Sequence, residues 1–293
     1  MIEAEKFNIY TMVTDRILAV MDNGVIPWQR PWTGGSMCVK RRTGEPYSFV
    51  NQLLLSPDFD GTLESLNSGE FASFAQIRDE GGKLRKGAKG LKVVFWKWYE
   101  IDDEDEEGGK KQVPVLRYST VFNIKDTDLE AKWNNDFVPN AHPDEDAERI
   151  LTAYWSTEHI SIDRDNNGSQ AYYRPSTDTI TLPKIERFRD TAEYYSTAFH
   201  ESIHSTGHES RLNRIKKGAS FGSEEYSKEE LIAEIGASAL VGICGLETES
   251  SFRNNTAYIK GWRDAIAKDN KLIVSAAGKA EKAVNRILNP VAL

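Results

Sequence analysis

The sequence predicts an α+β protein with two domains: an N-terminal mixed α/β domain and a C-terminal domain that combines a small sheet with a helix bearing an HExxH motif. Three observations lead to this class. The 293 residues exceed the usual length of one domain, about 100 to 200 residues. The segment 134–145 concentrates turn formers and prolines. Helical and strand-like periodicities occur on both sides of it. We therefore place the domains at 1–135 and 145–293.

The composition excludes a disordered chain, with 39% hydrophobic and 28% charged residues. The formal net charge is −8, but the acidic run Asp102–Glu107 contributes −6 and leaves −2 for all other residues. Charge clusters act over a Debye length of about 8 to 10 Å, so the net charge does not exclude a polyanionic partner. The sequence has no cationic leader and no apolar run approaching about 18 residues. We expect a cytoplasmic protein without a membrane partner.

Two features organise the N-terminal domain. Apolar spacing over residues 4–22 predicts an amphipathic helix that ends at Asn23 and Gly24. The segments 91–101 and 112–122 are rich in β-branched and aromatic residues, and an acidic, glycine-containing stretch separates them. This pattern predicts a long β-hairpin with a solvated tip.

The C-terminal domain is predicted to alternate helices with short strands. One helix and three strands are expected at residues 146–155, 159–163, 170–175 and 177–183. A further helix is expected to begin at Asp190 or Thr191, because Asp190 and Glu193 have the spacing of a capping box. We expect this helix to end at Gly207, in the left-handed conformation that glycine adopts after a helix.

That helix carries a candidate metal site. His200 and His204 are four residues apart, so they lie on one face with about 5 to 6 Å between their Cβ atoms. Two imidazoles at this spacing suit one Zn²⁺ ion, which prefers tetrahedral coordination with His nitrogens at about 2.0 to 2.1 Å. Glu201 is predicted to be the catalytic residue, a general base for water whose pKa the metal lowers towards about 7.

The third metal ligand is open between His208, Glu230 and Glu234. His208 follows the predicted end of the helix, whereas a second helix places Glu230 and Glu234 on one face. In a Glu-zincin arrangement, the first glutamate is the ligand and the acid one turn later bonds a ligand histidine. Ser227 allows the alternative that Glu230 forms a capping box and Glu234 is the ligand. Glu229 is predicted to be solvated.

The N-terminal domain also contains candidates for binding single-stranded DNA. Proteins of this kind line a groove with cations and stack bases on aromatic side chains. The candidate nucleic-acid-binding residues are Trp28, Arg30, Trp32, Lys40, Arg41, Arg42, Arg85, Lys86, Lys89, Trp96 and Lys97. The residues alone are equally compatible with core tryptophans and solvated cations.

The chain resembles the ArdC antirestriction proteins of conjugative plasmids over nearly its whole length. Among the strings that carry the resemblance are FASFAQIRDEGGKLRKGAKGLKVVFWK, YYSTAFHESIHSTGHESRLNR and EELIAEIGASAL. The resemblance implies a single-stranded-DNA-binding domain fused to a zinc-peptidase-like domain, acting when a plasmid enters a new cell. The N-terminal module also looks like part of TraC-type plasmid primases. The last string is similar to ImmA/IrrE peptidases, which favours Glu230 as the ligand.

The expected function is therefore that of an antirestriction protein that binds single-stranded DNA and hydrolyses, or once hydrolysed, peptide bonds at a Zn²⁺ site. A host restriction protein or another protein is the expected substrate. An alternative keeps the zinc but not the catalysis: a DNA-coating protein whose peptidase-like domain is a scaffold or partner-binding site. A Glu201→Gln variant distinguishes these two functions.

Overall fold

The structure is a computed structural model that describes residues 7–22, 26–29, 39–55, 69–102, 110–133, 142–166, 170–188, 190–215, 224–246 and 256–291. Within these ranges, eight α-helices and two sheets form two domains. The predicted α+β class is confirmed. The limits 1–135 and 145–293 stay predictions, because residues 134–141 lie outside the described ranges. None of the described helices is long and apolar enough to cross a membrane.

The N-terminal domain is built on a four-stranded sheet. Its elements are α1 (Ile9–Asp22), β1 (Lys40–Arg41), α2 (Phe49–Leu55), β2 (Glu70–Ser73), α3 (Phe74–Asp79), β3 (Leu91–Asp102) and β4 (Lys110–Asn123). The strands lie in the order β1-β2-β4-β3, with β1 parallel to β2 and the other pairs antiparallel. Strands β3 and β4 form the predicted long hairpin. Helix α1 begins at Ile9, later than the predicted segment 4–22, and Asn23 and Gly24, which were predicted to end it, lie outside the described residues.

Helix α2 is fixed to the sheet by two neighbouring side-chain amides. Asn51 donates to the carbonyl of Val94 at 2.7 Å and accepts from its N–H at 2.8 Å. Gln52 makes the same pair of bonds to Val39, at 2.8 and 3.0 Å. These bonds satisfy buried backbone groups, so α2 holds strand β3 and the entry to β1 at the same time.

The C-terminal domain places helices around a three-stranded sheet. Its elements are α4 (Pro143–Thr157), β5 (Ser161–Asn166), β6 (Tyr172–Arg174), β7 (Thr179–Pro183), α5 (Thr191–Ser205), α6 (Glu224–Cys244), α7 (Thr256–Lys268) and α8 (Leu272–Leu288). Strand β7 is central, parallel to β5 and antiparallel to β6. The predicted strands and the HExxH helix are present, with shifts of a few residues at their ends.

The start of α5 follows the predicted capping rule, whereas its end does not. Asp190 caps the start, because its carboxylate accepts the N–H of Glu193 at 2.7 Å. The prediction that Gly207 ends the helix in a left-handed conformation is wrong, since Gly207 has no positive φ. A Cβ at this position would lie 2.8 Å from the Ile215 side chain. Glycine is therefore required so that the following chain can fold back onto α5.

One hydrophobic core spans both domains. Helices α1 and α2 contact α7 and α8. The core includes, from the N-terminal domain, Val13, Ile17, Trp28, Phe49 and Leu54, and from the C-terminal domain, Phe199, Ile232, Ala277 and Val284. The Trp28 ring meets that of Trp262 at 5.5 Å between centroids. The two domains are therefore joined by buried apolar surface as well as by the chain.

Candidate metal centre and nucleic-acid surface

Helix α5 is anchored by hydrogen bonds on its buried side. Trp155 of α4 donates its Nε1–H to the hydroxyl of Ser202 at 2.9 Å, and the hydroxyls of Tyr154 and Ser205 lie 2.9 Å apart. Both serines are fully buried. Buried polar groups have few alternative partners, so these bonds fix the rotation of α5 and direct its opposite side towards α6.

Three potential metal ligands converge between α5 and α6. The Nε2 atoms of His200 and His204 are 3.1 Å apart. The carboxylate of Glu230 approaches them at 3.5 and 3.3 Å respectively. One ligand atom from each residue lies within 4.8 Å of the others. Two imidazoles and one carboxylate are the protein ligands of a common type of catalytic zinc site, so these residues fit a divalent metal.

The outer nitrogens of both histidines also face carboxylates. Glu234 lies 3.8 Å from Nδ1 of His200, and Glu229 lies 3.6 Å from Nδ1 of His204. The prediction that Glu229 is solvated is wrong: its side chain is 16% exposed. Arg214 binds both of its oxygens, at 2.7 and 3.2 Å. Carboxylates in such positions orient an imidazole and select the nitrogen that faces a metal.

The electrostatics of the cluster favour charged histidines when protons are the only cations present. Burial disfavours the imidazolium of His204, but Glu229 and Glu230 outweigh it and raise its pKa to about 10. Burial likewise favours the neutral acid of Glu230, and the two histidines reverse this effect and lower its pKa below the ordinary value. The site therefore attracts positive charge strongly, and a bound divalent cation would take the place of these protons.

Glu201 and His208, which were also predicted for this region, lie in different surroundings. Glu201 is 8% exposed, and its charge contributes to the raised pKa of both His200 and His204. His208 is turned towards Ser210, with 2.7 Å between Nδ1 and Oγ. Of the candidates for third ligand, Glu230 is the one that the structure groups with the two Nε2 atoms.

Two arginines that follow the HExxH helix were missed by the sequence analysis. Arg211, whose side chain is fully buried, donates to the carbonyl of Ser205 at 2.8 Å and pairs with Asp178 in the turn between β6 and β7. Arg214 binds Glu229 and also donates to Thr206 at 2.8 Å. The signal in the sequence was two arginines, three residues apart, shortly after the motif. That spacing does not show that their side chains are buried.

Two of the predicted DNA-binding residues are structural. Trp28 is fully buried in the shared core, so the prediction that its ring stacks on bases is wrong. Arg42 is 7% exposed, and its guanidinium binds Glu70 at 2.6 Å and Glu80 at 2.7 Å. The prediction that Arg42 contacts DNA is also wrong, because its donors are used inside the domain.

The other candidates lie on the surface or outside the described residues. Lys40 is half-buried, and Arg41 is exposed with its guanidinium 5.1 Å from the centroid of the Tyr47 ring. The side chains that remain exposed are Arg85, Lys86, Lys89, Trp96 and Lys97. Arg30 and Trp32 are not within the described ranges. The DNA-binding role of all these residues stays a prediction.

Two family models match the chain, one in each domain. A family described as zincin-like metallopeptidase matches residues 147–279, and the N-terminal domain of anti-restriction factor ArdC matches residues 7–122. The chain thus combines a zincin-like domain with an ArdC N-terminal domain. The chain belongs to the ArdC antirestriction family.

Solved structures and relatives agree with this assignment. Crystal structures of the antirestriction ArdC protein from plasmid R388 superpose with TM-scores of 0.73 (metal-free) and 0.74 (Mn(II)-bound), at 34% identity over 96% of this chain and 97% of theirs. The protein y4eC of Sinorhizobium fredii is 30% identical over 94% of this chain and 90% of its own. Two DNA primases TraC of Escherichia coli are 32% and 30% identical over 95% of this chain, which spans only 20% and 27% of their length.

Proposed function

We propose that this chain is a plasmid antirestriction protein that protects DNA entering a cell during conjugation, acting in the cytoplasm. Its C-terminal domain is a Zn²⁺-dependent peptidase, and its N-terminal domain binds single-stranded DNA. The observation that supports the peptidase is the convergence of His200, His204 and Glu230 beside Glu201. Membership of the ArdC family supports the biological role.

Each residue of the proposed centre has its own role in peptide hydrolysis. A bound divalent metal would polarise a peptide carbonyl and lower the pKa of water towards about 7. His200 and His204 would hold it through their Nε2 atoms, and Glu230 would hold it through a carboxylate oxygen. Glu201 accepts the proton of the attacking water and returns it to the leaving amine. The expected substrate is a host restriction protein or another protein of the recipient cell.

Metal analysis of the purified full-length chain tests the site. His204→Ala removes a ligand and should lose the metal, whereas Glu201→Gln keeps all three ligands and should retain it. Zn²⁺ and Mn²⁺ should both be titrated, because one crystal structure of the R388 relative is Mn(II)-bound. Equal metal content in the wild type and His204→Ala would rule out the proposed centre.

Glu201→Gln also separates the two functions that the sequence left open. If the peptidase acts, proteolysis of candidate host proteins should fall by about 10²- to 10⁴-fold, the usual contribution of a general base. Protection of incoming plasmid DNA should fall with it. If protection is intact while proteolysis is absent and metal is retained, the C-terminal domain is a scaffold or partner-binding site.

DNA binding has its own support. Exposed aromatic and cationic side chains lie close together on the β3–β4 hairpin, among them Phe95 at 44% exposure and Lys97. Aromatic rings stack only on bases that are free of a duplex. The full chain, whose domains share a core, should therefore bind single-stranded oligonucleotides more tightly than matched duplexes. Equal affinity for both forms would contradict this half of the proposal.

A further inference from the structure

The β3–β4 hairpin extends beyond the core with two chemically different faces. Residues opposite each other in an antiparallel pair project to the same side of the sheet, and neighbours along a strand project to opposite sides. Phe95 is opposite Arg117, whereas Trp96 is opposite Leu116. We call the side of Phe95, Lys97, Tyr99, Lys111 and Arg117 the basic face. The side of Trp96, Trp98, Glu100 and Asp102 is the tryptophan face.

The register separates two residues that the sequence placed in one DNA surface. Trp96 and Lys97 are adjacent in β3, so their side chains lie on opposite faces. A single strand that lies along one side of the hairpin cannot contact both. The charges of the two faces then decide which side suits a polyanion.

On the basic face, the described parts of β3 and β4 contribute three cations, Lys97, Lys111 and Arg117, and no carboxylate. The tryptophan face carries the two cations Lys92 and Lys110 beside the carboxylates of Glu100 and Asp102, and Lys110 is paired with Glu100 at 2.6 Å. Phosphate binding depends on the number of cations that replace counterions. Counted over the described residues of the hairpin, the tryptophan face therefore offers no net positive charge, and the basic face does.

The basic face also presents ordered groups. The guanidinium of Arg117 donates to the Tyr99 hydroxyl from Nε at 3.2 Å and Nη2 at 2.9 Å. Lys97 lies over the Tyr99 ring at 5.2 Å. Arg117 stabilises the phenolate and lowers the pKa of Tyr99. Beside this cluster, Phe95 is 44% exposed. Tyr99 thus holds two cations in place next to an aromatic ring that a base can reach.

We propose that single-stranded DNA lies along the basic face, with Phe95 stacking on a base and Lys97, Lys111 and Arg117 neutralising phosphates. Tyr99 is a positioning residue for Arg117. The inference rests on the proposed binding of single-stranded DNA, and it assigns that binding to one side of the hairpin. Trp96 and Trp98 lie outside the contact.

Titration of the full chain with a labelled oligodeoxythymidine at several salt concentrations tests the assignment by fluorescence anisotropy. Lys97→Gln with Arg117→Gln should weaken binding and reduce the log–log salt slope by about 0.7 for each phosphate lost. The matched control, Lys92→Gln with Lys110→Gln, removes two cations of the tryptophan face and should leave the slope unchanged. All four side chains are exposed, so folding should not be affected, and thermal unfolding verifies this.

Aromatic variants supply a second, charge-independent comparison. Phe95→Ala should lower affinity by about 5- to 150-fold, the effect of losing one base stack of about 1 to 3 kcal/mol. Trp96→Ala with Trp98→Ala should have no comparable effect.

Three outcomes would overturn the assignment while leaving DNA binding intact: a reduced slope in the tryptophan-face control, a loss of affinity in Trp96→Ala with Trp98→Ala, or equal effects on both faces. If the wild-type chain does not bind the oligonucleotide at all, the proposed DNA-binding function fails with it.

Discussion

Two arginines with buried side chains, one in each domain, bind carboxylates that have different further partners. Arg42 binds Glu70 and Glu80, and the second oxygen of Glu70 accepts the backbone N–H of Lys132 at 2.7 Å. All partners of this cluster belong to the N-terminal domain. Arg214 instead holds Glu229, whose carboxylate also faces the outer nitrogen of His204.

The difference shows how to separate a structural ion pair from one that serves a site. Both arginines are buried and both make short contacts, so burial and distance do not distinguish them. What differs is the next partner of the carboxylate: backbone amides for Glu70, a potential metal ligand for Glu229. Loss of the first pair should therefore reduce stability, and loss of the second should reduce metal affinity.

The largest effect is expected for Arg42→Met. It leaves Glu70, which is 1% exposed, buried without its cation, and such losses typically cost about 3 to 5 kcal/mol. Urea unfolding measures it. The control is Arg78→Met, because Arg78 pairs with Asp79 on the surface at 67% exposure and such pairs contribute only about 0 to 1 kcal/mol. Weaker metal binding by the folded Arg42→Met protein would erase the distinction between the clusters.

A smaller effect, on metal rather than stability, is expected for Glu229→Gln. The amide keeps the shape but weakens the attraction to His204, and changes of this kind cost about 10- to 100-fold in metal affinity. Arg214→Gln should act in the same direction. Calorimetric titration of the metal-free protein with Zn²⁺ measures both, with the exposed Glu225→Gln on the same helix as control. Wild-type affinity in both variants would show that the Arg214 pair is merely structural.

The smallest expected effect is a loss of folding stability at acidic pH. Hydrogen bonds from Arg42 and Lys132 lower the pKa of Glu80 from 4.5 to about 2. Because the folded pKa is the lower one, the stabilisation is fully present above about pH 4.5 and is lost as the pH falls towards about 2. Urea unfolding of the wild type and Glu80→Gln should thus differ most near neutral pH and converge in acid. A difference that stays constant down to about pH 3 would contradict the role of the pair.

Features that depend on neighbouring residues could be predicted from the sequence, whereas features that depend on residues far away in the sequence could not. His200 and His204 share a face because of helix geometry alone, and the hairpin followed from its β-branched and aromatic pattern. The exposure of Trp28 depends on Trp262, far away in the sequence, and that of Arg42 depends on Glu70 and Glu80. No local pattern contains these contacts.

Glu229 illustrates the same limit within one helix. Adjacent residues on a helix point about 100° apart, and Glu229 was therefore predicted to be solvated while Glu230 faced the histidines. In the structure both side chains reach the histidines: Glu230 meets Nε2 of His200 and of His204, and Glu229 meets Nδ1 of His204. The relative placement of α5 and α6 determines this, and it depends on the whole core.

The shared core also links the two halves of the protein energetically. Val13, Trp28 and Phe49 are buried in the same cluster as residues of α6 and α8, so melting either domain exposes apolar surface of the other. The chain should unfold as one cooperative unit. A ligand that binds only the folded state stabilises all of that unit, in proportion to the logarithm of its concentration relative to Kd. Metal bound between α5 and α6 would thus protect the distant sheet as well, without touching it.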